Sequence, residues 1–142
     1  MKKLLLLVLF SITKGLLAQS FAYELRTSNR AYVLAGYKAF ELRNRVDLKE
    51  NRVTYRPNVK LNSHFVLAPG VHYKLEAHIP TLEPRLCYKT EKATFWIQDE
   101  FWYHKQYHYC IAVDIPSANK KATYRIGWDN SNTIRFRVTV KI

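Results

Sequence analysis

The chain has 142 residues, a net charge of +12 and 48% hydrophobic residues, with ten tyrosines and only four glycines. That is enough for one domain and too apolar for a disordered chain. It contains no apolar run of the ~20 residues that a membrane-spanning helix needs.

The first segment reads as an export leader. Lys2 and Lys3 precede the apolar run Leu4–Phe10, which Ser11 and Ile12 continue. A basic start, a short apolar core and small residues after it make a signal peptide. Ser20-Phe21-Ala22 fits a small-x-small cleavage site, which places the leader at residues 1–22 and the domain at 23–142; Ala18 is the alternative site. Removing Lys2, Lys3 and Lys14 with the leader leaves +9. Export makes Cys87 and Cys110, the only two cysteines, a candidate disulfide. It also favours a periplasmic or extracellular, bacterial location.

Strand signals follow in order. Tyr23 to Arg30 reads as loosely ordered, and Ala31 to Tyr37 as a short strand. Phe40, Leu42, Val46 and Leu48 alternate with Glu41, Arg43, Arg45 and Asp47, a period of two that marks a strand; helical spacing of Ala39, Leu42 and Val46 is the alternative. Arg52 to Arg56 is a strand stopped by Pro57. His64 to Ala68 and Val71 to Ile79 make a hairpin about the turn Pro69-Gly70. The string LAPGVHY there resembles a turn of many β-sandwich domains. Thr81 to Arg85 is a loop, Leu86 to Tyr88 a short strand and Ala93 to Ile97 another. Phe101 to Ile115 then alternates throughout and reads as the longest, central strand. Thr123–Trp128 and Thr133–Ile142 form a last hairpin. About eight short strands without a convincing helix point to an all-β chain, an antiparallel β-sandwich of immunoglobulin-like or jelly-roll-like form. A small closed β-barrel is the second choice. An outer-membrane barrel ranks third, because the strands look shorter than the ~9–11 residues it requires.

Few residues invite chemistry. His104, His108 and Cys110 share a strand parity, but i and i+4 lie ~13 Å apart on a strand, too far for one metal ion. No nucleophile elbow, zinc-protease helix or phosphate loop is present, so no enzyme, cofactor or metal is expected, and a small hydrolase is the least favoured reading. Arg125, Arg135, Arg137 and Lys141 would line one outward strand face, and Trp102 would offer a stacking ring. The expected function is an exported, non-enzymatic binding domain for an anionic glycan, lipid headgroup or acidic protein. Nucleic acid is a less natural partner outside the cytoplasm. A protein-interaction module (an inhibitor, adhesin-like or envelope assembly subunit) is the alternative.

Overall fold

A computed structural model describes residues 19–101 and 107–142. The backbone is all-β. Thirteen strands run as β1 (Ser20–Arg26), β2 (Arg30–Tyr37), β3 (Phe40–Arg45), β4 (Asn51–Tyr55), β5 (Val59–Lys60), β6 (Phe65–Ala68) and β7 (Val71–Lys74). They continue as β8 (Ile79–Leu82), β9 (Arg85–Lys89), β10 (Thr94–Phe101), β11 (Tyr107–Pro116), β12 (Ala122–Asp129) and β13 (Thr133–Lys141). All pairings are antiparallel, and all belong to one sheet.

That sheet closes. Neighbours in sequence pair in turn, and β13 returns to β1 with Ser20 opposite Lys141 and Arg26 opposite Arg135. The expected sandwich is therefore corrected to its alternative, a closed barrel of up-and-down strands. Closure leaves only the two-residue β5, which pairs β6 alone, with an open edge.

Three staves of the barrel are each split in two. Pro57 lies between β4 and β5, Pro69-Gly70 between β6 and β7, and Glu83-Pro84 between β8 and β9. Proline has no N–H for the ladder, so pairing lapses there and resumes beyond. Pro69-Gly70 is thus an interruption in a continuing strand and not a hairpin turn: β6 pairs β9 while β7 pairs β8. The split halves add up to staves spanning Asn51–Lys60, Phe65–Lys74 and Ile79–Lys89. Those three lengths, like those of β11 and β13, meet the ~9–11 residues of a membrane strand, while β1, β2, β3, β10 and β12 run to 6–8 residues.

Gly70 permits a close approach at this level. The Glu83 N–H donates to its carbonyl at 2.6 Å. A Cβ on Gly70 would lie 2.7 Å from the Glu83 carbonyl oxygen and 2.9 Å from Arg56 Nε.

Two further elements differ from expectation. Residues 101–115 do not form one strand: β10 ends at Phe101, and β11 starts at Tyr107 and runs back along it. Gln98 and Asp99, beyond the expected strand Ala93–Ile97, lie inside β10. Residues 23–26, read as loose, belong to β1 and pair on both sides.

The faces are inverted relative to a soluble sheet. Ile134, Phe136, Val138 and Val140 of β13 are exposed on the outside, whereas Thr133, Arg135 and Arg137 are buried within. The same order holds in β1, where Tyr23 and Leu25 face out and Glu24 is 1% exposed. Apolar side chains coat the wall and charged ones fill the bore.

Candidate functional site in the barrel lumen

The lumen is built from the inward residues of nearly every strand. Glu24 on β1 accepts from Arg26 at 2.7 Å and from Arg137 at 2.5 Å. Arg137 also reaches Glu41 on β3 at 3.0 Å. Register sets this up, because Glu24 stands opposite Arg137 across the β1–β13 seam. Next to it, Arg125 binds Asp114 in bidentate fashion at 2.5 and 2.7 Å, and Arg135 binds Asp129 at 2.6 Å. Bidentate guanidinium–carboxylate contacts are the strongest of the ion-pair hydrogen bonds.

A second cluster sits at the proline breaks. Glu83, fully buried, lies 2.8 Å from Arg56, 2.8 Å from His72 Nδ1 and 3.5 Å from Arg52, and it accepts from the Gln98 amide. Arg85 in turn donates to Gln98 Oε1 at 2.6 and 2.9 Å.

Aromatic rings interleave with the cations. Trp96 lies between Arg85 and Arg125, whose guanidinium carbons are 4.1 and 4.6 Å from its ring. Tyr32 lies between Arg26 and Arg43 at 4.4 and 4.6 Å. Such stacking holds guanidinium planes in place without using their N–H groups.

The bore has two vestibules and a tight waist. Toward the β1–β2 turn a cavity of about 440 Å³ is lined by Arg30, Arg43, Arg52, Lys74 and Arg135 among others. At the opposite mouth a cavity of about 280 Å³ is lined by Arg85, Lys89, Trp96 and Asp114. Between them, around Glu24, Glu83, Arg125 and Arg137, the space shrinks to about 10 Å³, close to the ~10–15 Å³ that one water needs. Outside, the wall carries an apolar trough of about 650 Å³, lined by Phe95, Ile111, Ile126 and Trp128, with Gly127 and Ala112 at its floor.

Arg125, Arg135 and Arg137 do come together, Arg125 directly opposite Arg137, but inside the barrel and paired with carboxylates. The outward basic face expected of them is corrected: that face is apolar. Lys141 is exposed at the rim. Trp102 lies outside the described residues, as does His104. Among the described residues, no group of three or more His, Cys, Asp or Glu side chains could hold a metal. Sequence reading missed the acidic partners Glu24, Glu41 and Glu83 and the stacked ring Trp96. Their signal was a charge at every second strand position, which is read as solvent-facing when water is assumed outside.

The expected disulfide is corrected as well. Cys87 and Cys110 are free and buried. Cys87 stands opposite Trp96 and Cys110 opposite Gln98. Two strand spacings and two residues therefore separate them, about 12 Å between Cα atoms, well beyond the ~7 Å limit for a bridge.

No family model matches the sequence, and no curated protein matches it. Among solved structures, two that share the fold are KdgM porins. One, a KdgM porin, is 15% identical with a TM-score of 0.52, covering 85% of this chain and 95% of that one. The other, a KdgM porin in complex with disordered oligogalacturonate, is 16% identical with a TM-score of 0.50 and the same coverage. These likenesses and the apolar outer wall overturn the reading as a soluble binding domain with a basic outer face. The sandwich architecture and the periplasmic location fall with it.

Proposed function

We propose that the chain is an outer-membrane β-barrel whose arginine-lined lumen admits small anionic solutes, acidic oligosaccharides above all. One observation carries this reading: around a closed ring, the large apolar side chains point outward and the charges inward. Water on both sides of the wall would make that arrangement costly, since each exposed apolar side chain forgoes roughly 1.5–3 kcal/mol of burial. A hydrocarbon surround removes the penalty. It also requires every backbone group to be paired, which closure supplies except along β5.

The substrate class follows from the bore. Arg30, Arg43, Arg52 and Lys74 face one vestibule and Arg85 and Lys89 the other. Carboxylates on a sugar chain can exchange for Glu50 on Arg43 and Glu83 on Arg52, and at the waist for Glu24 on Arg137 or Asp114 on Arg125, at little cost in charge. The complex of a KdgM porin with oligogalacturonate is a precedent for such chemistry in this fold. The waist is shut at rest, so passage requires the Arg125–Asp114 and Arg137–Glu24 pairs to swing aside.

The test is reconstitution. Purified chain refolded into lipid vesicles should give heat-modifiable mobility and a small, anion-selective conductance that galacturonate oligomers block. A chain that stays monomeric in detergent-free buffer would defeat the membrane reading. A cation-selective conductance would defeat the anion reading alone.

Export is part of the same proposal. Ser20, Phe21 and Ala22 are paired with Lys141, Val140 and Thr139 in the β1–β13 seam. That pairing favours cleavage after Ala18, which keeps β1 whole, and the mass of the processed chain distinguishes the two sites.

A further inference from the structure

The two rims of the barrel differ sharply in charge. At the rim where Ser20 and Lys141 meet, Lys38 lies in the β2–β3 turn, Lys92 in the β9–β10 turn, and Lys120 and Lys121 in the β11–β12 turn. Lys60, Lys89 and Lys141 end their strands at the same level, and all seven are exposed. The only described carboxylate among these rim turns is Glu91. Among the described residues the opposite rim is balanced: Arg26, Arg30, Arg45, Lys49 and Lys74 stand against Asp47, Glu50, Glu76, Asp99 and Asp129.

The outer wall carries exposed aromatic rings toward both rims, with Tyr73 and Trp128 at the balanced end. Below the lysine rim lie Tyr37, Phe40, Phe65, Tyr88, Phe95 and Tyr124. Three of them make ring contacts, Phe40 with Tyr55 at 4.9 Å and Phe65 with Tyr88 at 5.1 Å between ring centres. Aromatic side chains settle at the boundary between hydrocarbon and headgroups. A ring of lysines just beyond such a girdle stands at headgroup height. Lys38 shows the geometry directly, with its Nζ 5.3 Å from the Tyr37 ring centre, the stem on the apolar wall and the charge above it.

We infer that this rim is a binding collar for the phosphates of anionic lipid headgroups. The charge matches, the collar lies at the edge of the apolar wall, and Lys38, Lys92, Lys120 and Lys121 sit on turns rather than in the bore. The inference rests on the membrane-barrel reading. It goes beyond that reading in assigning a lipid class to one rim.

Two measurements separate the failures. The chain is refolded into phosphatidylcholine vesicles with and without phosphatidylglycerol, and the lipids retained on the extracted barrel are quantified by mass spectrometry. The folded, heat-modifiable form should appear in both. Phosphatidylglycerol should be enriched roughly tenfold or more at low salt, since each lysine near an anionic surface adds a favourable increment. The enrichment should collapse in high salt. It should also collapse when Lys38→Gln, Lys92→Gln, Lys120→Gln and Lys121→Gln are combined. A control with Arg45→Gln and Lys49→Gln, at the balanced rim, should keep it. No folded form in either lipid would overturn the barrel and the collar together. A folded barrel with no enrichment, with enrichment unchanged in the four-lysine variant, or with equal loss in the control would overturn the collar alone. So would loss of enrichment to millimolar inorganic phosphate at constant ionic strength, which would mark a site for free phosphate.

Discussion

Glu83 is fully buried and shared by Arg56, Arg52, His72 and Gln98. Replacing such a pair with apolar groups can be neutral, but removing one partner strands the others. Glu83→Ala should therefore cost about 3–5 kcal/mol, read by urea unfolding from vesicles; a loss below about 1 kcal/mol would show the cluster to be solvated. A backbone effect is expected at Leu48, which holds φ at 59° in the β3–β4 turn. A branched side chain there costs about 1–2 kcal/mol relative to residues that tolerate the left-handed region. Leu48→Asn should raise stability by roughly 1 kcal/mol. Glu50, in the same turn, is raised by burial but held down to about 2 by Arg43 and Arg52, with Arg43 at 2.5 Å. Its depressed value means stability fully present above the usual 4.5 and lost as pH falls toward 2. The melting temperature should drop across that window, and Glu50→Gln should flatten the drop.

Strands decide which residues can meet. Antiparallel register puts Glu24 opposite Arg137 and Arg125 opposite both Asp114 and Arg137. The two like charges on β12 and β13 are tolerated because each carries its own carboxylate. Register also forbids the Cys87–Cys110 bridge, so treatment of folded chain with a thiol oxidant should leave two titratable thiols after denaturation. Recovery of an intramolecular disulfide at native yield would contradict the β9–β10–β11 alignment. The proline breaks act at this scale too. They interrupt three consecutive staves beside Glu83 and allow Gly70 to approach its backbone. Gly70→Ala must displace both the Glu83 carbonyl and Arg56, at a cost of roughly 1–3 kcal/mol, with the loss read in the same unfolding assay.

At the level of the whole molecule, the barrel presents two unlike surfaces. Its wall is apolar, its bore is charged, and its waist is closed by side chains rather than by a folded-in loop, since the described turns are short. Conductance should accordingly respond to waist side chains. Trp96→Ala removes the ring that Arg85 and Arg125 clasp and should raise single-channel conductance. An unchanged current would place the constriction elsewhere.

Much of the local structure was legible. The alternation of β13, the β12–β13 hairpin at Asn130–Asn132 and the strand of Arg52–Tyr55 follow from period-two patterning and turn residues. Prolines were legible as breaks, although only pairing partners distinguish a break within a stave from a reversal, as at Pro69-Gly70. The sequence by itself determined that each strand has one apolar and one polar face. It could not determine which face looks inward, because a period of two is symmetric and both choices bury one side. Tertiary closure decided that. Ser20 meets Lys141 across the length of the chain, the waist of the ring is filled by its own side chains, and the charges find their counter-charges there. The apolar face is left to whatever surrounds the barrel.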